Sequence, residues 1–92
     1  MEKIFAKAMA QLISRAAILM QIGAAHNIST SMYPSIGSFH FSLDDLDLRF
    51  DRNEHPYDEM EVAAVIEQLD GMIQAWKENA QHGIELINAW GA

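Results

Sequence analysis

Residues 39 to 50, Phe-His-Phe-Ser-Leu-Asp-Asp-Leu-Asp-Leu-Arg-Phe, alternate apolar and polar side chains strictly on either side of Asp44-Asp45. A period of two on both sides of a polar pair is the pattern of a β-hairpin. With Asp44-Asp45 as a two-residue turn, Leu43 faces Leu46, Phe41 faces Leu48 and Phe39 faces Phe50, so every apolar side chain lands on one face. The opposite face pairs Ser42 with Asp47 and His40 with Arg49. A two-stranded ribbon is marginal in water by itself, so the six apolar side chains need a cover, and the flanking segments that read as helices can provide it.

The first of these runs from about Lys3 to Ala25. Phe5, Met9, Leu12, Ala16, Leu19 and Gly23 recur at intervals of four and three, which places them on one stripe. Ile4, Ala8, Ile13, Ala17, Met20 and Ile22 widen that stripe until Lys3, Lys7, Gln11, Ser14 and Gln21 form a narrow polar edge, with Ile18 close to it. A helix this apolar is buried on two sides or exposes a patch, and a homodimer or an obligate partner is expected. Lys7, Gln11, Arg15 and Gln21 interrupt the segment too often for a signal peptide or a membrane span.

The last helix starts with Asp58 as N-cap and Glu61 as the reaching partner of a capping box, with Pro56 just outside. Its stripe is Val62, Ile66, Leu69, Ile73, Trp76, Ala80, Ile84 and Ile87, which makes Trp76 a core residue. Run on to Trp90, it would be about 48 Å long. Either Gly83 ends it, or its C-terminal turns reach another subunit. Before the hairpin, residues Ile28 to Tyr33 are a candidate third strand, because Ile28, Thr30 and Met32 alternate with Asn27, Ser29 and Ser31, and Asn27 is a candidate cap for the first helix. Asp51 to Pro56 has no periodicity and reads as an exposed loop. The expected fold is α+β, a single domain over residues 1 to 92: N-terminal helix, antiparallel hairpin with room for a third strand, and long C-terminal helix packed on the sheet.

Half of the 92 residues are apolar and the net charge is −7. The acids are concentrated: residues 44 to 61 hold eight of them against Arg49 and Arg52, a net −6. Binding a phosphate backbone calls for a basic patch, so direct nucleic-acid binding is not expected. Asp44, Asp45, Asp47, Asp51 and Glu54 form instead a candidate acidic surface for a basic protein partner, and Leu12, Ile18 and Trp90 are candidate apolar interface residues. With no cysteine there is no disulfide framework and no thiolate chemistry, which fits a cytoplasmic location.

Chemistry-bearing motifs are few. His26, His40, His55 and His82 are scattered, and Glu78 with His82 at i and i+4 supplies only two ligands, so no metal or other cofactor is expected. Asp51, Asn53 and His55 have calcium-loop spacing, but Pro56 stands where an EF-hand needs glycine and Val62 where it needs glutamate. Nothing has the spacing of a nucleophile elbow or a phosphate loop. The chain is not expected to be an enzyme.

The order of an apolar N-terminal helix, the Ser-Phe-His-Phe-Ser-Leu-Asp-Asp-Leu-Asp-Leu-Arg-Phe hairpin and a long acidic C-terminal helix resembles small accessory proteins of bacteriophages and prophages. The likeness is one of pattern, spans most of the chain and assigns no residue a role. It implies binding to a host or phage protein, some such proteins resembling DNA mimics or inhibitors of host defence such as anti-CRISPR proteins. The expected function is a non-enzymatic protein-binding module, of the inhibitor or regulator type, that offers an acidic surface to a basic partner. The alternative is a structural protein whose apolar helices build a homo-oligomer.

Overall fold

The computed structural model describes residues 2–91, apart from the side chains at positions 86 and 87. Its elements are α1 (Glu2–Gln21), β1 (Ile28–Tyr33), a 3-10 turn at Pro34–Ile36, β2 (Ser38–Leu43), β3 (Leu46–Phe50) and α2 (Glu59–Gly91). The strands form one antiparallel sheet in the order β1-β2-β3. β2 and β3 pair in the register that the alternation predicts, from Leu43 with Leu46 to Phe39 with Phe50. The third strand forms, and it pairs along its whole length, from Ile28 with Leu43 to Tyr33 with Ser38.

Phe39, Phe41, Leu43, Leu48 and Phe50 on the sheet meet Phe5, Ala8, Met9, Leu12, Ala16 and Leu19 of α1 and Val62 and Leu69 of α2 in one core. Burying an aliphatic or aromatic side chain of this size contributes roughly 1.5–3 kcal/mol each. The Phe5 and Phe39 rings meet edge to face with centroids 5.4 Å apart, and Tyr57, from the segment leading into α2, packs against Phe5, Phe39 and Phe50. That burial, with the Glu59 carboxylate nearby, pushes the Tyr57 phenol above its ordinary pKa.

α1 ends at Gln21, four residues short of the expected Ala25, although its apolar stripe runs on to Gly23. Gly23 adopts a left-handed φ of 79°, its N–H donates to the Met20 carbonyl at 3.2 Å and the Ala24 N–H donates to the Leu19 carbonyl at 2.8 Å. These are the two bonds of a Schellman stop. Gly23 therefore caps the helix and does not belong to its buried face, and Asn27 accepts the Asp44 N–H at the end of the sheet instead of capping α1.

At the start of α2 the Asp58 carboxylate accepts the Met60 N–H at 2.9 Å, as an N-cap should. The capping box does not close: Glu61 meets the His55 ring at 2.6 Å instead. That ring also stacks on Phe50. Gly83 does not interrupt α2, which continues to Gly91.

The two helices run parallel. Ile4, Lys7 and Gln11 share a groove with Glu59, Ala63 and Ile66, and Arg15 meets Asp70 at 2.7 Å. By that alignment the last residue of α1, Gln21, lies level with Trp76. The remaining 15 residues of α2, about 22 Å of helix at 1.5 Å per residue, extend past the rest of the fold. The long dimension of the molecule is accordingly 61 Å against 22 and 21 Å for the other two.

Candidate interaction surface

The five acids expected to form one surface fall into three places. Asp44 and Asp45 are at the β2–β3 turn, beside Gln68 and Met72 of α2. Asp47 is on the outer sheet face, where it meets the His40 ring at 2.7 Å and lies 3.9 Å from Arg49. Asp51 and Glu54 are at the far end of β3, roughly 20 Å from the turn by strand rise.

Two of the five carboxylates have structural work. Asp44 has a φ of 52°, the left-handed first position that a hairpin turn of the primed types requires and that aspartate tolerates. Its carboxylate accepts the N–H groups of Asn27 at 2.9 Å and His26 at 3.1 Å, which ties the entry of β1 to the hairpin tip. Those N–H donors hold its pKa below the ordinary carboxylate value. Asp51 likewise accepts the N–H groups of Glu54 and Asn53, at 2.6 and 2.9 Å, and its pKa is lowered chiefly by the Glu54 bond. The Asp51–Pro56 loop is exposed as expected, but this turn and the Asp51–His55 bridge order it. Asp45 and Glu54 are exposed acids whose carboxylates make no ion pair among the described residues.

The apolar candidates also separate. Leu12 is completely buried in the core, so it is not an interface residue: the helix stripe that marks it as apolar is the stripe that faces the sheet. Ile18 is exposed on α1. Trp90 is 83 % exposed, and Trp76, expected in the core, is 42 % exposed because α1 and the sheet end where it begins. Ile84 is exposed on the same stripe, while Ile87 lies outside the described residues. α2 thus presents to solvent the continuation of the stripe that, one and two turns earlier, covers the sheet with Leu69 and Ile73.

Among the described residues no three of His, Asp and Glu converge as a metal ion would need, and no helix is long and apolar enough to cross a membrane. Comparison with models of known protein families, with curated proteins and with solved structures returned no match.

Proposed function

We propose that the protein is a non-enzymatic binding module that grips a partner protein with α2 beyond Trp76. The observation that carries this reading is the projecting apolar stripe of Trp76, Ala80, Ile84 and Trp90, four turns of helix with no cover from the rest of the described fold. Tryptophan is the side chain most enriched among residues that dominate interface energies, and an amphipathic helix laid in a groove is a common mode of protein recognition. At the foot of the stripe stand Asp44 and Asp45, beside Gln68 and Met72 of α2. A partner with an apolar groove and a basic rim beside it complements this arrangement, and the basic rim would speed association in a salt-dependent way. The regulator or inhibitor role implied by the likeness to bacteriophage accessory proteins is compatible with such a grip and is part of the proposal.

The test is affinity capture from the native cell with the intact protein and with an Ile84→Glu/Trp90→Glu variant. The reading predicts a specific protein retained by the native chain and lost by the variant, with the melting temperature of the variant unchanged. Equal recovery by both chains overturns it.

A further inference from the structure

The two edges of the sheet differ. β3 carries Asp47 and Arg49 and has α2 alongside, with Ala64 and Val65 lining the groove next to Leu48. Charged side chains and a covering helix are the usual protections of a sheet edge. β1, Ile-Ser-Thr-Ser-Met-Tyr, has neither: it contains no charge and no proline, it is exposed along nearly its full length, and it pairs only with β2. The register with β2 puts Ile28, Thr30 and Met32 on the helix-covered face of the sheet, opposite Leu43, Phe41 and Phe39. Yet Ile28 and Met32 are each 37 % exposed, because α1 lies over β2 and α2 lies on the β3 side, which leaves the inner face of β1 without a roof.

A second, independent feature lies on the same side of the molecule. Arg15 and Ile4 place the flank of α1 that faces α2, and Phe5, Leu12 and Leu19 place the face on the sheet. The flank left over, toward β1, carries Ala6, Ala10, Ile13 and Ala17 at intervals of four, three and four, all exposed. An uncharged strand edge and an uncharged helix flank thus form one continuous side of a chain that otherwise carries a net charge of −7.

We infer that β1 pairs antiparallel with β1 of a second copy of this chain, joining two three-stranded sheets into one of six strands. Antiparallel self-pairing keeps like faces together only when paired residue numbers have an even sum. Centring the two-fold on Thr30 sets Ile28 against the Met32 of the other copy, twice, and Ser29 against Ser31, which gives apolar pairs on the helix side and hydroxyl pairs on the other. The two β2 strands are then three strand spacings apart, roughly 14 Å, somewhat more than the 8–10 Å of directly packed helices. Ile13, Ile28 and Met32 of both copies fill that space. A strand from an unrelated protein would satisfy the edge but would leave the α1 flank bare, whereas a second copy brings the matching flank with it. Neither β1 nor the flank from Ala6 to Ala17 carries an acid, and Glu2 lies at the end of that flank beside Pro34 and Ser35, so two strongly acidic chains can meet along the strand and flank without like charges face to face.

The experiment is light scattering and crosslinking of the full chain with four substitutions. The native chain is expected at twice its 10.3 kDa mass at micromolar concentration. Thr30→Asp, which sets two carboxylates face to face on the two-fold, should halve the mass while leaving the helical circular dichroism intact, since Thr30 is exposed in the single chain. Thr30→Cys, in a chain with no other cysteine, should crosslink to a covalent dimer on mild oxidation, and Ile36→Cys, exposed but off the strand, should not. If Thr30→Asp unfolds, the cysteine pair decides alone. A native monomer at the highest attainable concentration, or a dimer that survives Thr30→Asp and is dissolved by Trp90→Glu, overturns the inference; loss of partner capture by α2 variants bears on the proposed function and leaves this result untouched.

Discussion

Phe41 and His40 are neighbours in the chain with opposite surroundings: the ring of Phe41 is fully buried and paired with Leu48, while His40 lies on the outer face against Asp47. Phe41→Ala should therefore lower stability by about 3–5 kcal/mol, as emptying an aromatic core site does, and His40→Ala should change it little. Urea denaturation of the two variants checks this, and equal losses would contradict the register. Asp44 belongs to the same scale. Its lowered pKa means that its carboxylate stabilises the fold above the unfolded value and ceases to do so as pH falls through the folded value. Asp44→Asn keeps a residue that tolerates positive φ but removes the charge. The urea midpoints of native and variant chains should thus differ near pH 6 and converge as the pH drops below the ordinary carboxylate value of 3.8; a gap that stays constant with pH would contradict the role given to the carboxylate. Neutralising the turn acids is accordingly not a neutral change at Asp44, although it is at the free Asp45, where an exposed charge contributes little.

At the scale of elements, the hairpin and its register were legible in the sequence because alternation is a local signal and the buried face fixes the pairing. β1 was legible for the same reason in outline, from Ile28, Thr30 and Met32. The end of α1 was not, since Gly23 continues the apolar spacing and its left-handed conformation overrides it. Nor was the work of Asp44, whose partners His26 and Asn27 are 18 and 17 residues away and meet it only once β1 has joined the sheet. Trp76 was misplaced because a stripe reports which side of a helix is apolar and says nothing of where the cover stops. The continuity of α2 through Gly83 reflects a cost of about 1 kcal/mol for a helical glycine, small enough for the flanking helix formers to absorb. If the turns past Trp76 contribute nothing to the core, a chain stopped after Lys77 should keep the melting transition of the native protein within a few degrees. A large drop on differential scanning would show that the projecting turns stabilise the body.

For the whole molecule, the division is between a body that is closed and a helix that is not. α1, the sheet and the first half of α2 enclose the aromatic cluster of Phe5, Phe39, Phe50 and Tyr57, and Arg15, its guanidinium held by the Gln11 carbonyl and side chain of its own helix, reaches across to Asp70 of α2. Beyond that contact the apolar stripe continues into solvent, with the turn acids at its base. The acidic segment does not form the single docking face that its charge density suggests, because three of its carboxylates, those of Asp44, Asp51 and Asp58, hold backbone N–H groups and that of Asp47 faces His40. We propose that the stripe past Trp76 is the surface through which the protein acts. Affinity capture with the native chain and the Ile84→Glu/Trp90→Glu variant decides it: if the stripe is the grip, the variant loses a specific partner while its melting temperature holds, and recovery of the same partner in the same amount by both chains rules the proposal out.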